Sequence, residues 1–84
     1  MKLIWSEDAW EDYLFWQSHD KKILQRVNAL IKAIQRDAFQ GIGDPEPLKY
    51  QWQGYWSRRI TREHRLVYKV QKEEMWIAQC RYHY

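Results

Sequence analysis

Two side chains of this sequence have the type and placement of an acid–base pair, and arginines near them could hold an anion for the pair to act on. Glu46 stands between Pro45 and Pro47, whose rings restrict the backbone on both sides and with it the direction of the carboxylate. His83 is the penultimate residue, and imidazole is the side chain whose ordinary proton affinity lies near neutrality. Alternation of period two predicts where the arginines point. It sets Leu66, Tyr68 and Val70 on one side of a strand and Arg65, Val67 and Lys69 on the other. On the last strand Ala78, Cys80 and Tyr82 alternate with Gln79, Arg81 and His83. With the small and apolar sets buried, Arg65, Arg81 and His83 share the open face, and Arg59 joins them if Ile60 is core.

Such a set suits phosphodiester transfer within RNA. The ribose 2′-hydroxyl is itself the nucleophile, so the protein need supply only a base for its proton, an acid for the departing 5′-oxygen, and cations for the charge on phosphorus. Each acid or base role is worth about 10²–10⁴-fold. Other chemistries are less well served. Cys80-x-x-His83 is half a zinc motif, and His19 and His64 lie far from it in sequence, so no metal ligand set is expected. Ser57 has no elbow glycine beside it, and Gly41-x-Gly43 leads into prolines and not into a helix. Each residue also has an ordinary reading. Glu46 alone could be an exposed loop acid, and His83 a surface histidine near a frayed end.

The elements that must carry these groups are readable. Lys2 to Trp5 forms a short strand, Ser6 caps a helix running to about Ser18, and Asp20 caps a second one. In that second helix Ile23, Leu24, Val27, Leu30, Ile31 and Ile34 follow the 3.6-residue period. The two helices, joined by about two residues, are expected to form an antiparallel hairpin over one sheet face. Phe39 to Lys49, with Gly41, Gly43, Pro45 and Pro47, reads as loop. Strands follow at Tyr55–Ile60, His64–Val70 and Met75–His83. The expected fold is α+β: an N-terminal strand and a helical hairpin on one face of a twisted, mainly antiparallel sheet.

Composition bounds the rest. Eighty-four residues, 45% hydrophobic and 30% charged, make one small globular domain over 1–84. A single cysteine leaves no intrachain disulfide and points to a reducing compartment. The apolar start Leu3-Ile4-Trp5 ends at Ser6-Glu7-Asp8, too short for an export segment, and no apolar run approaches a membrane span. A cytoplasmic location is expected. Residues 1–44 carry six Lys or Arg against seven acids, and residues 45–84 carry eight against four. Five of those eight are arginines, interleaved with tyrosines and tryptophans, which suits single-stranded nucleic acid.

The runs Pro45-Glu46-Pro47-Leu48-Lys49, Trp56-Ser57-Arg58-Arg59-Ile60, Glu63-His64-Arg65-Leu66-Val67-Tyr68 and Cys80-Arg81-Tyr82-His83-Tyr84 resemble the YoeB toxins (the Txe/YoeB family) of the RelE superfamily. The opening Met1 to Ser6 and the helix pair match as well, so the resemblance covers essentially the whole chain. It implies a RelE-like, microbial-ribonuclease-like fold and a metal-independent endoribonuclease, without cofactor, that cuts mRNA in the ribosomal A site. By that resemblance Glu46 is general base and His83 general acid. Arg65, Lys49 and Arg59 steady the phosphate, while Glu63 and Tyr84 orient the site or the RNA. Lys49, Arg58, Arg59, Arg62 and Arg81 are the expected RNA contacts.

The partners implied are a YefM-like antitoxin, the ribosome with its mRNA, a second toxin copy in a homodimer, and operator DNA through the toxin–antitoxin complex only. Trp52 departs from the Leu usual in the family; away from the catalytic positions, it reads as packing or antitoxin choice. The alternatives are a non-cleaving toxin of the same fold that blocks the ribosome by binding RNA, or one that binds a protein target such as gyrase.

Overall fold

The structure is a computed structural model that describes residues 1–84. Strand β1 (Lys2–Trp5) leads into helix α1 (Glu7–His19), where the Ser6 side chain accepts the Ala9 N–H at 3.0 Å as the N-cap. One residue, Asp20, joins the helices. Its N–H closes α1 on Trp16 O, and its carboxylate accepts the Lys22 and Ile23 N–H groups that open α2 (Lys21–Arg36). The apolar stripe of α2 buries Val27, Leu30, Ile31 and Ile34, as its period predicts. They meet Ala9 and Trp16 of α1 and Ile60, Leu66, Tyr68, Met75, Ile77 and Cys80 from the sheet in one core.

The sheet has five strands in the order β1-β5-β4-β3-β2, with β2 at Glu46–Pro47, β3 at Trp56–Arg59, β4 at Arg65–Gln71 and β5 at Glu74–Gln79. Only the β1–β5 pair is parallel. The architecture is the expected α+β arrangement, with three differences in detail. The proline loop contains β2, a two-residue edge strand too short for any period, where Pro47 lacks an N–H that an inner ladder would need. The last strand ends at Gln79, not His83. Finally, the register between β4 and β5 slips: Val67 faces Gln79 but Tyr68 faces Ile77, leaving Ala78 as the extra residue of a bulge. Met75 and Ile77 therefore point into the core before the bulge, and Cys80 does so after it.

Arg58 is wholly buried, which corrects the expectation that it contacts RNA. It shares the core side of β3 with Ile60, and its guanidinium is satisfied by neutral acceptors. Nε donates to Tyr68 Oη at 3.1 Å, Nη1 to Ile42 O at 3.1 Å, and Nη2 to Asp37 O at 2.7 Å and Gln40 O at 2.9 Å. Tyr68 Oη in turn donates to Ala38 O at 2.7 Å, and burial raises its pKa above the ordinary value. These bonds strap the 37–42 segment to the sheet. Gly41 (φ +123°) passes so close that a Cβ there would lie 3.1 Å from Arg58 Nη1.

Asp12 is the other polar anchor. Its Oδ2 accepts the Cys80 N–H at 3.0 Å, and Trp16 Nε1 donates to Cys80 O at 2.8 Å, tying α1 to the end of β5. Burial raises the Asp12 pKa, against the pull of the Cys80 N–H and of Arg81. Two outcomes are expected. Arg58→Met strands several buried carbonyl oxygens and should lower the unfolding free energy by roughly 3 kcal/mol in urea titrations; wild-type stability would contradict this role. For Asp12, a raised folded pKa contributes stability that is complete below the usual value of 3.8 and lost as pH rises through the folded value. Asp12→Asn keeps an acceptor for Cys80 without the charge. Urea midpoints of variant and wild type should then converge near pH 3, with the variant more stable at pH 7.

Candidate active site

Sheet register assembles the site. Antiparallel pairing sets Glu46 of β2 opposite Ser57 of β3, Ser57 opposite Val67, and Arg59 opposite Arg65 of β4. Opposed residues share a face, so Glu46, Ser57, Arg59 and Arg65 all project away from the side that carries Arg58, Ile60 and Leu66. Like charges directly opposite in a ladder disfavour folding. Backbone contacts hold this pair in place. Arg65 Nη1 donates to the carbonyls of Thr61 (2.8 Å), Arg62 (3.2 Å) and His64 (3.1 Å), which leaves its Nη2 edge unengaged. The Arg59 N–H donates to Gly43 O at 2.6 Å, and its carbonyl accepts from Arg26 Nη2 at 3.0 Å.

Over these groups the C-terminal segment closes a hollow of about 130 Å³ lined by Asp44, Glu46, Ser57, Arg59, Arg65, His83 and Tyr84. Tyr84 Oη donates to Glu46 Oε1 at 3.2 Å and lies 3.4 Å from Ser57 Oγ. One carboxylate oxygen is thus held while the other stays open. His83 Nδ1 lies 3.2 Å from Tyr84 O, leaving Nε2 as its free nitrogen. The hollow brings two carboxylates, an imidazole and two arginines around a space large enough for a phosphate group.

The other candidates lie elsewhere. Lys49 lines an adjoining hollow of about 340 Å³, bordered by Glu46 and Tyr84 and including Tyr50 and Trp52. Trp52, expected away from the catalytic positions, therefore shares a wall with three residues expected at them, Glu46, Lys49 and Tyr84, and packs edge-on against Tyr55 at 5.3 Å. Arg62 and Glu63 sit exposed in the turn between β3 and β4 and line neither hollow. Arg81 is not on the open face with Arg65 and His83. Past the bulge and the early strand end it turns toward α1, its guanidinium carbon 3.4 Å from the Phe15 ring centroid. Tyr82, expected in the core, is exposed with φ +65°.

Asp44 was not expected in the site, and Ser57 was considered only as a nucleophile. Ser57 carries a readable signal, since it is two residues from Arg59 on one strand, whereas Asp44 (φ +50°) takes its place from the loop's path alone. Cys80 is excluded as a nucleophile: burial, with the nearby Asp12 carboxylate, pushes its thiol up to about 12.

Comparison with known proteins agrees with this fold. Residues 5–84 match the family model described as the YoeB-like toxin of bacterial type II toxin–antitoxin systems. Toxin YoeB of Escherichia coli K12 is 60% identical over 84 residues, covering all of both chains. Among solved structures, the YoeB/ParE toxin from Agrobacterium tumefaciens superposes with a TM-score of 0.97 at 49% identity over the whole of both chains. The toxin chain of the Staphylococcus aureus YoeB–YefM complex gives a TM-score of 0.94 at 47% identity, covering 100% of this chain and 98% of that one, and the S. aureus YoeB dimer also gives 0.94 at 48% with the same coverage. This chain belongs to the YoeB-like toxins of bacterial type II toxin–antitoxin systems.

Proposed function

We propose that this toxin is a metal-independent endoribonuclease that cleaves mRNA in the ribosomal A site of the bacterial cytoplasm. The observation that carries the reading is the shared hollow, which Glu46 and His83 line together with the ladder partners Arg59 and Arg65. The scissile phosphate sits against those two arginines. Glu46, with Oε1 held by Tyr84, takes the 2′-hydroxyl proton on Oε2. The 2′-oxygen bonds to phosphorus, the P–O5′ bond breaks, and His83 gives its proton to the departing 5′-oxygen. The products are a 2′,3′-cyclic phosphate and a 5′-hydroxyl end. Arg65 and Arg59 carry the charge that builds on the non-bridging oxygens. Lys49 holds the neighbouring backbone from the adjoining hollow, and Arg62 and Glu63 meet RNA at the exposed turn.

By kinship with the S. aureus proteins, a YefM-like antitoxin and a second toxin copy are the proposed partners, with operator DNA bound by the toxin–antitoxin complex. Two experiments test the reading. After brief expression in bacteria, transcript end-mapping should show new 5′-hydroxyl ends at A-site codons, absent with His83→Gln; a His83→Gln chain that stays toxic without such ends would establish a ribosome blocker instead. In single-turnover cleavage on programmed ribosomes, Arg65→Ala should cost roughly 2–4 kcal/mol of transition-state stabilisation. Near-wild-type cleavage would remove Arg65 from the phosphate site.

A further inference from the structure

Beyond Gln79 the chain leaves the sheet, and its position rests on a few polar contacts. Cys80 is held at both backbone groups by Asp12 and Trp16. Tyr82 is the last residue whose backbone is gripped by the body of the domain. Its N–H donates to His64 Nδ1 at 2.7 Å, and its carbonyl accepts the Arg65 N–H at 3.0 Å. Between them these two bonds hold a tyrosine at φ +65°, a left-handed conformation that is strained for a non-glycine residue and persists only where the surroundings enforce it. His83 and Tyr84 follow directly, so the direction of this turn decides whether they reach the hollow.

The ring that accepts the Tyr82 N–H is itself fixed. His64 stands edge-on to Trp16, with centroids 4.8 Å apart, and accepting on Nδ1 requires its proton on Nε2. We infer that His64 is a positioning residue for the cleavage reaction: by holding the Tyr82 N–H it fixes the turn that brings His83 and Tyr84 onto Glu46, Arg59 and Arg65. The inference rests on the nuclease reading above. It gives the Glu63-His64-Arg65 run a division of labour. Arg65 faces the phosphate, and the residue before it aims the acid at the same phosphate from the tail.

The test pairs two substitutions. His64→Leu fills the space against Trp16 without an acceptor, whereas His64→Asn offers Oδ1 near the place of Nδ1. On programmed bacterial ribosomes, His64→Leu should lower kcat about 10²-fold with KM within about twofold, and His64→Asn should recover most of the loss. Amide hydrogen exchange at Tyr82 in the free protein should quicken in the Leu variant and stay slow in the Asn variant, independently of any cleavage. A wild-type chain that leaves the message uncut would overturn the nuclease reading and this role together. Equal cleavage by wild type and His64→Leu overturns the positioning role alone, as does a His64→Asn variant no better than Leu in both measurements.

Discussion

Two arginines stand directly opposite one another across antiparallel strands, Arg59 of β3 and Arg65 of β4, where a ladder ordinarily pairs opposite charges or apolar groups. Side chains so placed have Cβ atoms about 4.5–5.5 Å apart, and an anion seated between them would relieve their repulsion. Much of the molecule serves to hold that opposition. The turn carbonyls of Thr61, Arg62 and His64 grip Arg65, and Gly43 O fixes the Arg59 backbone. Glu46 arrives from the edge strand and His83 from the chain end, and both line the same hollow. In the proposed reaction a phosphodiester bound there meets one group to take a proton and another to give one.

Adjacent arginines on β3 have opposite fates. Arg59 projects to the open face, while Arg58 turns inward and spends its donors on carbonyls of the loop after α2 and on Tyr68. A buried cation without a carboxylate partner is tolerated because four oxygens receive its N–H groups. The same loop continues through Gly43 and Asp44 into Glu46, so the internal strap also sets the path by which the proposed base enters the site. Stability and site geometry are coupled through one side chain.

What could be read from the sequence follows from which physical rules are local. Ser6 and Asp20 as caps, the stripe of α2 and the cores of three strands depend on near neighbours, and they form as their patterns dictate. Arg59 and Arg65 were placed on one face by alternation, which held because β3 and β4 pair without irregularity. Alternation failed where the ladder itself is broken. The bulge at Ala78 and the end of β5 at Gln79 send Arg81 to the Phe15 ring and leave Tyr82 exposed. The charge of Arg58 suggests an exposed RNA contact while its parity with Ile60 points inward; whether enough carbonyls converge to satisfy a buried guanidinium is a tertiary fact. Trp52 and Asp44 are placed by loop paths, which carry no periodicity.

The most direct measurement is a structure of the toxin bound to a short RNA whose attacking hydroxyl is capped as a 2′-O-methyl ether, so that the scissile link survives. Its phosphate should lie between the Arg59 and Arg65 side chains, with the capped 2′-oxygen toward Glu46 and the 5′-oxygen toward His83. A phosphate seated instead on the Arg62 turn or beside Arg81, with the hollow between the two arginines left to solvent, would contradict the proposed chemistry.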